Sequence, residues 1–200
     1  MRKHVVALMG ALLACSTQAY AQPPAMYHWR SFTESASVMH SAEDGYYQIY
    51  VEKYGPLRET EGWPVRARVS FVLGFAGVQG ACWVPANAVV LDDRTGELRL
   101  WATVPFADGC DWLDGAASVE LQVTWRPDGT YHSRRHYTLL GDTGGTSSEQ
   151  GWDDRWLFAG VTGTVTVNGD QSMPIPPDQN GSTFRGWGHG VIPLFLSLVR

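Results

Sequence analysis

Three acidic side chains, Glu149, Asp153 and Asp154, lie beside Trp152 and Trp156 near a stretch rich in glycine, threonine and serine. Two carboxyls and an indole are the parts of a glycosidase: one acid, one base or nucleophile, and a flat ring on which a sugar stacks. Aspartate and glutamate are also common loop residues, and spacing along the chain does not set the distance between carboxyls. A secreted hydrolase acting on polysaccharide therefore stands as the alternative reading. The sequence contains no Gly-x-Ser-x-Gly, no His-Glu-x-x-His and no phosphate-binding loop.

Asp108, Asp111 and Asp114 surround Cys110. Ca²⁺ takes several oxygens from a flexible loop, so these residues are the candidate metal site and Ca²⁺ the candidate cofactor. The spacing is not that of an EF-hand, and a solvated acidic turn is the simpler expectation. His132, Arg134 and His136 alternate, which puts them on one face of a strand. No third zinc ligand accompanies them and Arg134 opposes a cation, so a solvated polar face is expected.

The tryptophans say more. Trp101 falls on the polar side of its strand with Arg99 and Thr103, while Trp63, Trp112, Trp152 and Trp187 read as turn or loop residues. Exposed indoles supply rigid contact area for a sugar ring or a protein partner. Trp152, Trp156 and Trp187 are the expected ligand-binding set, and capping the open ends of the fold is the competing use for such rings.

The elements that must hold these residues are strands. Val65, Ala67, Val69, Phe71, Leu73 and Phe75 alternate with Arg66, Arg68 and Ser70. The same period recurs at Leu98–Val104, Val119–Trp125 and Val161–Val167. A period of two with one apolar face is what a half-buried strand requires. Asp92-Asp93-Arg94-Thr95-Gly96, Arg126-Pro127-Asp128-Gly129 and Asn168-Gly169 carry turn chemistry between such runs. The expected fold is all-β: a single-domain antiparallel β-sandwich of immunoglobulin or jelly-roll type, with a closed barrel as runner-up. Gly141–Asp154 and the proline-rich Gln171–Gly190 read as long loops.

Arg2, Lys3 and His4 precede the apolar run Val5–Ala14, and Ala19-Tyr20-Ala21 offers a cleavage site before Gln22. Residues 1–21 are expected to be a signal peptide, 22–30 an extended leader, 31–168 the sandwich domain and 169–200 a Pro/Gly-rich segment with a last strand. Leu12-Leu13-Ala14-Cys15 resembles a lipobox, so a lipid anchor at Cys15 competes with cleavage after Ala21. Either route implies a secreted or periplasmic protein, where Cys82 and Cys110 are expected to form a disulfide. In the loop-entropy picture that closure contributes about 3.5 kcal/mol at most. The net charge of −5 argues against nucleic acid as a partner. No apolar run beyond the N-terminal segment is long enough to span a bilayer.

Ser35-Ala36-Ser37, the paired cysteines, Val123-Thr124-Trp125 before a glycine turn, and Gly163-Thr164-Val165 together resemble a loose group of small secreted bacterial β-sandwich proteins of unknown function. The resemblance spans about residues 31–168 and implies a fold without implying catalytic residues. The function expected from the sequence is a non-catalytic binding or envelope-associated module for a glycan or protein ligand.

Overall fold

A computed structural model describes residues 26–56, 64–128, 132–140 and 148–193. The expected signal peptide, Cys15 and Trp63 lie outside the described residues. Alternating segments become strands where the alternation predicts them. The strands are β1 (Met26–Ala42), β2 (Gly45–Pro56), β3 (Arg66–Leu73), β4 (Val78–Val84), β5 (Val89–Leu91), β6 (Leu98–Val104), β7 (Cys110–Asp114), β8 (Val119–Pro127), β9 (His132–Leu140), β10 (Ser148–Val167) and β11 (Gln171–Pro193). Pairing already begins at Met26, inside the stretch expected to be a leader, because β11 supplies a partner as far as Pro193.

The pairings are antiparallel, and backbone hydrogen bonds join the eleven strands into one sheet. Its order is β5-β6-β8-β10-β11-β1-β2-β3-β4-β7, with β9 also paired to β10. The ladder thus runs without a break, where the sequence suggested two separate sheets. Strands far apart in that order nevertheless share one core. Val51, Val69, Phe71 and Cys82 from one half lie in the same buried cluster as Leu100, Leu121, Val123 and Val165 from the other. Trp125 Nε1 on β8 donates to the Ser37 carbonyl on β1 at 3.2 Å, and Lys53 Nζ on β2 donates to the Val89 carbonyl on β5 at 3.1 Å. The sheet curls until its apolar face covers itself.

Turn chemistry fixes the register. Asn168 and Gly169 both take positive φ, 52° and 80°, in the three-residue turn between β10 and β11, which the Asp170 amide closes by donating to the Val167 carbonyl at 3.3 Å. Asn168 Oδ1 also accepts from the amides of Ala117 and Ser118, tying that hairpin to the start of β8. In the β5–β6 turn, the Arg94 and Thr95 amides donate to Asp92 Oδ1, and those two hydrogen bonds hold its carboxyl below the ordinary carboxylate range. β8 and β9, on either side of the expected Arg126-Pro127-Asp128-Gly129 turn, each pair with β10. They lie in succession along β10, β9 against Ser148–Trp156 and β8 against Ala159–Val167, separated by bulges in β10.

Gln171–Gly190 is strand, contrary to the loop expected from Pro174, Pro176 and Pro177. β1 covers β11 only from Ser182 to Pro193, so the prolines sit where β11 is bonded to β10 alone. A residue without an amide hydrogen is tolerated in a strand at such a free edge. Gly141–Asp154 is likewise part strand, since β10 begins at Ser148 with β9 on one side and β11 on the other.

Cys82 and Cys110 are bonded to each other, as expected, with Cα atoms 3.9 Å apart. They face one another across β4 and β7 and fasten the last strand of the sheet. Replacing both, Cys82→Ser with Cys110→Ser, is expected to lower the unfolding free energy by about 2–4 kcal/mol. A urea titration reads this as an earlier midpoint, with the far-ultraviolet strand signal retained before the transition.

Candidate functional site

β10 places Asp153 and Asp154 side by side in a regular stretch of ladder, so their carboxyls leave opposite faces of the sheet. Both are buried, and Asp153 Oδ2 accepts from Arg155 Nε at 3.1 Å. A glycosidase pair must face one bond from either side of a single cleft. Adjacent strand residues cannot do so.

The tryptophans expected to bind ligand divide differently. Trp156 is buried, 6 % exposed, beneath the β5–β6 turn. That closeness depends on Gly96, whose φ is +72° and where a Cβ would lie 2.5 Å from the indole. The Thr183 hydroxyl donates to the Gly96 carbonyl at 2.7 Å and holds the turn down. Trp156 therefore belongs to the packing. Trp152 and Trp187 lie directly opposite one another in β10 and β11, in strands where loops were expected. Trp187 is half-buried with the Arg185 guanidinium 5.0 Å from its ring centre; the Trp152 side chain lies outside the described residues, as do those of His132, Arg134, His136 and Glu149.

The acidic residues around Cys110 spread along a turn and β7. Asp111 is ion-paired with Arg68, and Asp114 accepts from Gln79 Nε2 at 3.3 Å and from the Gly115 amide at 2.9 Å. Among the described residues no three His, Cys, Asp or Glu side chains are placed to share a metal ion.

One polar cluster has no counterpart in the sequence reading. His40, near the end of β1, is 7 % exposed and has a carboxylate on each ring nitrogen: Asp178 Oδ2 lies 2.7 Å from Nδ1 and Asp44 Oδ1 lies 2.8 Å from Nε2. Tyr47 stacks on the imidazole at 5.0 Å and donates its hydroxyl to the Pro176 carbonyl at 2.8 Å. Burial, with the two carboxylates, pushes the Tyr47 phenol far up. With both nitrogens occupied, His40 has none left to move a proton on a substrate. It ties the β1–β2 turn to the free edge of β11.

The outer face of β6, β8 and β10 is different in kind. Cross-strand register sets three rungs there: Arg99–Thr124–Thr162, Trp101–Gln122–Thr164 and Thr103–Glu120–Thr166. Trp101 is 70 % exposed on β6, one residue past the stretch that pairs with β5. Its indole N–H donates to Glu120 Oε1 at 3.3 Å, and Gln122 Nε2 donates to the same oxygen at 2.8 Å. One carboxylate thereby fixes both the ring and the neighbouring amide. A depression of about 400 Å³ runs over Trp101, Gln122, Thr124, Thr162 and Thr164. Gly163 lines it too, and a Cβ there would lie 2.1 Å from the Gln122 carbonyl. The opposite face has a smaller hollow of about 130 Å³ between Tyr50 and Trp112, floored in part by Ser70.

No family model matches the chain, and no curated protein matches it. Among solved structures, it is similar to one from Nitrosomonas europaea named as a candidate AttH protein, at 8 % identity and a TM-score of 0.40. The match covers 85 % of this chain and 53 % of that one, so the chain spans about half its length.

The His40 cluster sets a pH dependence. Hydrogen bonds that the imidazole donates to the Asp44 and Asp178 carboxylates raise its pKa above 6.5 against the opposing effect of burial. A pKa raised on folding stabilises the protein fully below the unfolded value, and that stability is lost as pH rises through the folded value. Urea midpoints measured from pH 5 to pH 9 are expected to show wild type exceeding His40→Gln on the acid side, with the gap narrowing above about pH 6.5. A gap that widens with pH would contradict the assignment.

Proposed function

We propose that the protein is an exported, non-catalytic binding module that holds a glycan on the outer face of β6, β8 and β10, with Trp101 as the platform. We further propose that the two halves of the curled sheet act as the two layers of a sandwich, which leaves this outer face free for a ligand. The observation that carries the reading is Trp101 itself, 70 % exposed and held in orientation by Glu120. Pyranose rings have an apolar face that stacks on indole and hydroxyls around the rim that need donors and acceptors. Gln122, Thr124, Thr162 and Thr164 supply those beside the ring.

Binding fits better than hydrolysis. Asp153 and Asp154 leave opposite faces of β10, and His40 has both nitrogens engaged. Export accords with the basic and apolar start of the chain and with the Cys82–Cys110 bond, which an oxidising compartment maintains.

Retention on insoluble polysaccharides tests the site. Trp101→Ala is expected to lose at least ten-fold in retention, while Trp112→Ala on the opposite face retains like wild type. Equal loss in both, or none in either, would remove Trp101 from the role. Intact-mass measurement of protein from its native location tests export: the expected chain begins at Gln22, and a diacylglyceryl adduct on Cys15 would replace soluble maturation with a lipid anchor.

A further inference from the structure

We infer that the ligand of the Trp101 face is a straight, uncharged polysaccharide chain lying across the strands, one sugar unit per strand. The inference rests on the glycan-binding reading above and adds the ligand's charge, shape and direction.

Charge comes first. Two cations border the face, Arg99 and Arg126, and both are matched by Glu97, whose Oε1 lies 2.6 Å from Arg99 Nη2 and whose Oε2 lies 3.1 Å from Arg126 Nε. Glu120 supplies a second carboxylate, held by the Trp101 indole and the Gln122 amide. The two positive and two negative side chains cancel, and the chain as a whole carries −5. An acidic polysaccharide would find no excess positive charge here and a repelling field beyond. Hydroxyls and amides instead match the alcohol groups of a neutral sugar.

Direction follows from register. Trp101, Gln122 and Thr164 form one rung, perpendicular to β6, β8 and β10. Adjacent strands lie about 5 Å apart, roughly the length of one unit in an extended pyranose chain. A chain laid along the rung stacks one ring on Trp101, sets the next over the Gln122 amide and the third over the Thr164 hydroxyl. The flanking rungs bring Thr124 and Thr162 to one side and Glu120 to the other. A β-1,4-linked chain is straight enough to keep that pace, whereas a helical α-1,4 chain leaves the surface after one contact.

Calorimetry with the mature chain decides it, using β-1,4-linked glucose, mannose and N-acetylglucosamine oligomers of two to six units, with polygalacturonate and an α-1,4 glucose oligomer beside them. The expected result is binding of at least one neutral β-1,4 series, tightening at least ten-fold from two units to three and levelling off after. Gln122→Ala combined with Thr164→Ala is expected to weaken every oligomer and to erase that gain with length; Trp101→Phe keeps part of the affinity that Trp101→Ala loses. These positions are on the solvent face, and an unchanged urea midpoint confirms that each variant is folded. Preference for polygalacturonate or the α-1,4 oligomer, or affinity independent of length, overturns this inference while leaving a glycan-binding face in place. Failure of wild type to bind any glycan, neutral or acidic, overturns the proposed function as well.

Discussion

A sheet that is apolar on one face must cover that face, and here the cover comes from the sheet itself. The described strands belong to one continuous ladder, yet a single buried cluster draws on strands from both ends of it. Curling is therefore the condition on which the rest depends. The long strands β10 and β11, of 20 and 23 residues, make it feasible because neither is regular throughout. Register shifts at Trp156/Ala159, Ala159/Val161 and Val161/Gly163 bend the pair, and Phe158 takes a positive φ of 58° within the first. Extra residues in one strand raise local twist and let a sheet change direction without losing its ladder. Lys53 and Trp125 then donate across the fold to the carbonyls of Val89 and Ser37, which satisfies groups that the bend brings together.

That condition divides the polar residues into two populations. Those caught at the bend are consumed by it: Asp178 and Asp44 occupy both nitrogens of His40, and the Thr183 hydroxyl occupies the Gly96 carbonyl. They hold the curl and have little left to offer a ligand. Those on the outward faces of β6, β8 and the stretch of β10 in regular register with β8 are under no such demand. Arg99, Trp101, Gln122, Thr162 and Thr164 can serve recognition because the core needs only their neighbours Leu98, Leu100, Leu121, Val123 and Val165.

Periodicity reveals which residues point inward, so β3, β6, β8 and the second half of β10 are legible from the chain alone. It does not reveal where a ladder has a free side. Pro174, Pro176 and Pro177 imply a loop unless one knows that β1 stops short of them, and that depends on residues more than a hundred positions away. For the same reason Trp156 looks available until Gly96 is seen to bring a turn down on it. The outward position of Trp101 follows from alternation, whereas the rung it shares with Gln122 and Thr164 needs the register of three strands. Asp44 lies four residues from His40 and could be paired with it from the sequence; Asp178 carries no such signal.

A single exposed aromatic is ordinary on a protein surface, so exposure alone does not distinguish Trp101 from its fellows. Two other exposed rings, Phe158 and Trp112, have local causes that Trp101 lacks. Phe158 projects from a bulge whose backbone turns the side chain out, and Trp112 lies on β7, the last strand of the order, beside the disulfide. Trp101 lies on β6 one residue past the stretch that pairs with β5, bonded to β8 alone, where a threonine or lysine would satisfy the strand equally well. The fold gains little from an indole there, and it also spends a carboxylate and an amide to keep the ring in one orientation. Fixing a side chain that leaves most of its surface in water costs rotamer entropy with little packing return. On the proposed reading, such an arrangement prepares a flat apolar surface with polar groups set at its rim before any ligand arrives.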